Sequence, residues 1–225
     1  MTTLVIAPHA DDEVLGVGGT IARLSDEGEH VTVAVLTGHG DEPHPLFPPD
    51  GFNIVRAECK KACKKLGVKN IIFKDLPAAC LDYTPTWKIN SIVTDVLEEV
   101  RPNTVFVPFS HDLHKDHGAI AYAVSVATRP YLELGQIVKQ IYAYETLSET
   151  HLSSPYLEAG FQPNSFWDIS KYIETKLEAF SEYQSQIQVA NMPRSLNSLR
   201  ALSTLRGSHI GVAAAEAFIL IRQSF

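Results

Sequence analysis

Leu4-Val5-Ile6-Ala7-Pro8-His9-Ala10-Asp11-Asp12-Glu13 runs from an apolar strand directly into an imidazole and three carboxylates within five residues. Neutral imidazole and carboxylate oxygen are the ligands a catalytic zinc takes, usually three from protein with water in the fourth position. A spare carboxylate is then left to act as base for that water. If helical geometry begins here, His9 and Asp12 share a face while Asp11 points elsewhere, which separates a ligand pair from a base. The competing reading is an acidic helix N-terminus, favoured by the helix dipole. It accounts for Asp11, Asp12 and Glu13 but not for His9.

Outward from this stretch, short β-rich runs at 4–7, 31–36, 70–73 and 104–107 alternate with segments long enough for helices. That alternation predicts an α/β fold, a Rossmann-like and mostly parallel sheet flanked by helices in a single domain, residues 1–225. Further strands are expected at 140–144 and 165–169, and helices at 54–66, 86–100 and 171–187. The helix at 86–100 ends before Arg101-Pro102, because a residue preceding proline disfavours helical geometry. Gly16, Gly18 and Gly19 lack the register of a phosphate loop, so they read as places of close backbone approach. The segment Thr37-Gly38-His39-Gly40-Asp41, followed by Pro43, Pro45, Pro48 and Pro49, reads as a loop at a strand's carboxyl end. His39 and His44 within it are ligand types in a polar segment with no partner pattern.

The fourth strand delivers a second dense site, Ser110-His111-Asp112-Leu113-His114-Lys115-Asp116-His117, with three histidines and two aspartates in its last seven residues. His114 and His117 are three apart at the start of a helical pattern and can point into one cavity. Both dense sites fall at strand carboxyl ends, where open parallel sheets bind ligands. From spacing alone either histidine could be the metal ligand.

Composition narrows the chemistry. With 225 residues, 45% hydrophobic and 20% charged, the chain is long enough for one well-buried core. A formal charge of −7 offers no basic surface, so nucleic acid is a poor partner and a small molecule a better one. Cys59, Cys63 and Cys80 cannot all pair, which suits a reducing, cytoplasmic location; Cys59 and Cys63, one helical turn apart, are expected to bury as small apolar side chains. No apolar run approaches the ~20 residues of a membrane span, and no signal peptide is expected. The aromatic set Tyr156, Phe161, Phe166, Trp167, Tyr172, Phe180 and Tyr183 reads first as core packing.

Taken together, Pro8-His9-Ala10-Asp11-Asp12-Glu13 and His114-Lys115-Asp116-His117 resemble the AHPDDE and HxDH motifs of the PIG-L/LmbE-like zinc N-deacetylases. The resemblance continues through Arg129-Pro130, Tyr144-Glu145, Phe161-Gln162-Pro163-Asn164, Ser185-Gln186, Arg206-Gly207 and Ala215-Glu216-Ala217-Phe218. Ala10 departs from the family's usual proline. The resemblance implies that His9, Asp12 and His117 bind Zn2+, that Asp11 is the general base, and that His114 faces the substrate carbonyl. It further implies that Arg56 contacts the substrate and that the protein is a homo-oligomer acting on an N-acetylglucosamine-type sugar or conjugate. Asp116, and with it Asp112, reads equally as an orienting partner for a neighbouring imidazole, with Asp116 then assigned to His114, or as a helix cap. Two other classes stand beside this reading: a two-metal phosphoesterase, which needs more bridging ligands than the sequence shows, and a non-catalytic metal- or sugar-binding protein.

Overall fold

The alternation of apolar runs and helical segments resolves, in the computed structural model, into a seven-stranded sheet of order β3-β2-β1-β4-β5-β7-β6. The structure describes residues 1–40 and 44–225; Asp41 and Pro43 of the loop reading lie outside the described residues. The strands are β1 (Thr2–Ala7), β2 (His30–Gly38), β3 (Asn70–Pro77), β4 (Thr104–Pro108), β5 (Gln140–Tyr144), β6 (Ser165–Asp168) and β7 (Ala215–Gln223). Strands β1 to β5 are mutually parallel, while β7 runs antiparallel between β5 and β6.

Parallel central strands are buried on both faces and so read as continuous apolar runs. In β1, Val5 and Ala7 pack with Val33, Val35 and Phe106 on one face, whereas Leu4 and Ile6 pack with Leu36, Val105 and Val107 on the other. The first face is covered by α1 (Asp12–Asp26), α2 (Pro49–Lys65) and α6 (Ile173–Phe180), the second by α3 (Thr86–Val100) and α4 (Lys115–Ala127). A short α5 (Glu133–Ile137) and a longer α7 (Leu196–Ser208) complete the helices among the described residues. Helix α3 stops where the proline argument places its end, with Arg101 in the left-handed region at φ 46°.

The glycines of α1 serve close packing. A Cβ on Gly16 would stand 2.2 Å from the Tyr144 ring, and one on Gly19 would stand 2.6 Å from Ile169. In the last third of the chain the strand expected at 165–169 is present as β6, but the helix is shorter than expected. The helix expected over 171–187 is only α6, because the chain turns after Phe180 to bury Tyr183 against Glu13. Aromatic residues there divide, Phe180 and Tyr183 being buried and Tyr156 fully in water.

Successive strands run outward from β1 through β2 to β3, and the chain then returns to place β4 on the other side of β1. The crevice beyond the carboxyl ends of β1 and β4 is therefore the topological switch point, the place where such sheets bind ligands. His9 follows β1 directly, and the 110–117 segment follows β4.

Candidate active site

Asp11 turns the chain from β1 into α1 with φ 124°, a conformation uncommon for a residue with a side chain. Its carboxylate makes no cap bond to the helix. Asp12 Oδ2 instead accepts from the His9 backbone N–H at 2.9 Å, and Glu13 accepts from the Asp11 N–H at 3.0 Å and from the Tyr183 hydroxyl. The three acids thus have three separate environments, which a dipole-driven acidic N-terminus does not require. Burial pushes the Glu13 carboxyl up to about 7.

Across the switch point, α4 begins with His114 as its N-cap, and the ring Nδ1 accepts from the Asp116 backbone N–H at 3.2 Å. Nδ1 is thereby an acceptor, so the neutral ring carries its proton on Nε2. Burial and the neighbouring His9 cation pull His114 down to about 4. One turn on, His117 is fully buried, donates from Nδ1 to Asp112 Oδ2 at 2.7 Å, and leaves Nε2, 3.3 Å from Asp12 Oδ2, without a hydrogen-bond partner among the described residues.

His9, Asp12 and His117 come together: each offers a ligand atom, and the three atoms lie within 4.8 Å of one another. His9 Nδ1 also stands 3.3 Å from Asp12 Oδ2, so one carboxylate faces two imidazoles. The orphaned, fully buried His117 Nε2 and this nitrogen–oxygen–nitrogen donor set fit a tetrahedral zinc with one open position. Without an ion, the carboxylates hold protons on the rings instead. Burial opposes the charge, yet hydrogen bonds with Asp116 and Asp12 lift His9 to about 9, and Asp12 with Asp112 lifts His117 to about 10. Asp12 itself is opposed by burial and held far below the carboxylate range by His117 and His9.

Asp116 differs from its expected place. Its carboxylate accepts from His9 Nε2 at 2.9 Å, from the Ala79 N–H at 2.7 Å and from the Leu81 N–H at 3.1 Å, and it sits behind His9, with its side chain almost wholly out of water. It orients His9 and does not orient the His114 ring, because the loop after β3 closes over it. A second group, His9, His114 and Asp116, also brings ligand atoms within 4.8 Å of one another, but it shares His9 with the first and adds no bridging carboxylate.

A cavity of about 370 Å3 opens over the cluster, lined by His9, Asp11, Asp12, Arg56, His114 and His117. Arg56 reaches it while anchored by the Asp75 carboxylate at 2.9 Å and by the carbonyls of Thr37 and Lys74. Sequence reasoning did not single out Phe47, Phe52, Glu149 or Arg194, which also line it. They come from segments without a motif, and only Ser185-Gln186 in that wall carried a signal. Among the described residues, His39 and His44 join no three-residue group able to hold an ion, and His44 bonds the Ala78 carbonyl. Cys59 and Cys63 are buried in the core, with Sγ atoms 3.9 Å apart and Cys59 donating to Glu13 at 3.8 Å.

The fold and this constellation define a hydrolase-type site on an open α/β sheet, and residues 4–128 match the PIG-L family, described as GlcNAc-PI de-N-acetylase. The chain belongs to that family. Over 81% of its length and 69% of the relative's, it is 29% identical to the diacetylchitobiose deacetylase of Thermococcus kodakarensis. It is 27% identical, over 82% and 83%, to the "Probable N-acetyl-alpha-D-glucosaminyl L-malate deacetylase 2" of Bacillus cereus. Among solved structures, the N,N'-diacetylchitobiose deacetylase of Pyrococcus horikoshii superposes with a TM-score of 0.77 at 25% identity, covering 98% of this chain and 84% of that one.

Proposed function

We propose that residues 1–225 form one zinc-dependent deacetylase domain that removes the acetyl group from an N-acetylglucosamine-type sugar or conjugate. The observation that carries this reading is the convergence of His9, Asp12 and His117 at a cavity that Asp11 and His114 also line. His9, Asp12 and His117 would hold Zn2+, which when bound polarises a carbonyl and lowers the pKa of water to about 7.

The remaining work falls to this chain's own residues. Asp11, whose Oδ2 is buried without a hydrogen-bond partner among the described residues, takes the proton from the attacking water and returns it to the leaving amine. His114, neutral and protonated on Nε2, donates to the oxygen on which negative charge develops. Asp116 and Asp112 fix the His9 and His117 rings. Arg56 contributes a guanidinium at the cavity wall for the substrate. A homo-oligomeric state and a cytoplasmic location belong to the same proposal, resting on the family resemblance and on three free cysteines. No described helix is long and apolar enough to cross a membrane.

The test is acetate release from N-acetylglucosamine, its UDP form, short chitooligosaccharides and a malate glycoside, beside a phosphodiester control. Acetate from any of the sugars, abolished by a chelator, is the expected result. Diester cleavage without acetate would favour the phosphoesterase, and no turnover with retained metal would favour the binding protein.

A further inference from the structure

We infer that Arg194 is a positioning residue for Asp11, holding that carboxylate in the orientation from which it moves a proton; the inference rests on the base role proposed above. Arg194 Nη1 lies 3.7 Å from Asp11 Oδ2, and that oxygen is buried without a hydrogen-bond partner among the described residues. A carboxylate so placed, buried beside the equally buried Asp12 and Glu13, has lost water and needs a hydrogen-bonding or cationic partner. Arg194 is the cation that the structure sets within 4 Å of this carboxylate, whereas His9 is engaged by Asp12 and Asp116.

The loop that carries Arg194 is anchored at both ends. At its start, the Ser185 N–H and hydroxyl donate to the Glu58 carboxylate of α2 at 2.9 and 2.5 Å. At its end, Ser195 caps α7 by accepting from the Ser198 N–H at 3.2 Å. Between them, the Gln188 N–H donates to the Arg194 carbonyl at 2.8 Å, and the Arg194 N–H donates to Gln188 Oε1 at 3.1 Å. The backbone of Arg194 is therefore fixed opposite Asp11.

Its side chain retains capacity. Nη1 makes one long bond to Gln186 Oε1 at 3.4 Å, and Nε is buried with no partner among the described residues. A charge-assisted guanidinium–carboxylate bond closes to about 2.7–2.9 Å. Asp11 Oδ2 has no partner among the described residues, and a shift of about 1 Å would bring Arg194 Nη1, held only by the long bond to Gln186, into such a bond with it.

Arg194→Ala, Arg194→Lys and Asp11→Asn decide the matter. Arg194→Ala should keep one metal per chain and a near-normal KM, with kcat lower by up to about 10²-fold, the scale of a misplaced reacting group. Millimolar guanidinium ion should restore part of that kcat, and Arg194→Lys should fall between. Independently of turnover, Arg194→Ala should lower Tm in the wild-type background and not in the Asp11→Asn background. Additive Tm shifts with no guanidinium rescue would overturn the assignment, as would a raised KM at unchanged kcat, which makes Arg194 a substrate contact. Coupled Tm shifts with full turnover by Asp11→Asn would instead remove the base role and leave a structural ion pair.

Discussion

His117 Nδ1 stands 2.7 Å from Asp112 Oδ2, and neither side chain reaches water. This bond fixes Nδ1 as the donor and presents Nε2, the orphaned nitrogen, to the cavity beside Asp12. A histidine that ligates through one nitrogen depends on such a partner at the other, and losing the partner typically costs about 10–100-fold in metal affinity. Asp112→Ala should therefore weaken metal binding by that factor while the chain stays folded, as measured by competition with a chromogenic chelator. Unchanged affinity would assign Asp112 a packing role only.

The same geometry sets a pH dependence. In the metal-free chain His9 and His117 are lifted to about 9 and about 10, so at neutral pH both rings hold a proton that an incoming ion must displace. Proton and metal compete, and the sign follows: affinity falls as pH falls, by up to about two decades per unit below pH 9. Titrating zinc into apo protein between pH 6 and 8 while measuring proton release checks this. A pH-independent affinity would mean the ion binds elsewhere.

Adjacent aspartates should separate cleanly. Asp12 faces both imidazoles, whereas Asp11 lines the cavity and touches neither ring within hydrogen-bond distance. Asp12→Ala should lose the metal. Asp11→Asn should keep it and lose about 10²–10⁴-fold in turnover, the usual contribution of a general base. Elemental analysis and acetate release on the same preparations distinguish the two.

How much of this was legible follows from sequence separation. Strands β1 and β4 declare themselves because both faces are buried, and the residues that follow them fall at one crevice by topology alone. The pairing of Asp116 with His9, across 107 positions, has no local signature. Neither does Arg194, which reaches Asp11 from a loop with no periodic pattern. Strand β7 was missed as a strand: its first residues carried only a family resemblance, and the role of Glu216 depends on partners from two helices.

That last arrangement gives a stability prediction. Lys176 Nζ lies 2.6 Å from Glu216 Oε1 in the interior, and Glu216 also accepts from the Gly19 and Thr20 N–H groups of α1 at 2.9 and 2.7 Å. Removing one partner of a buried pair costs about 3–5 kcal/mol, so Glu216→Ala should lose that much in urea unfolding. Replacing both, as Lys176→Met with Glu216→Leu, is often neutral elsewhere. Here it leaves two helix N–H groups without Glu216, at about 1–3 kcal/mol each. The double variant should remain destabilised by at least ~2 kcal/mol, and wild-type stability in it would show that the helix contacts contribute nothing.

His114 and His117 are both imidazoles with rings 5.6 Å apart, so only their outer partners tell them apart. His117 gives Nδ1 to Asp112 and turns Nε2, unbonded among the described residues, towards Asp12 and the cavity, the arrangement of a ligand. His114 accepts at Nδ1 from the helix backbone and carries its proton on Nε2, the state of a donor. Burial and, in the metal-free chain, the His9 cation hold it down to about 4; with an ion bound, burial and the dication would act in the same direction, so the ring stays neutral across the working pH range. A donor of this kind acts when charge develops on the substrate oxygen, and losing one typically costs about 10²–10³ in kcat, or ~2.7–4 kcal/mol. Affinity for the substrate should change far less. His114→Ala is expected to hold stoichiometric metal and a near-normal KM with most turnover gone, whereas His117→Ala should lose the metal first. Metal lost from the His114 variant and kept by the His117 variant would mean that the second group, His9, His114 and Asp116, is the one that binds the ion.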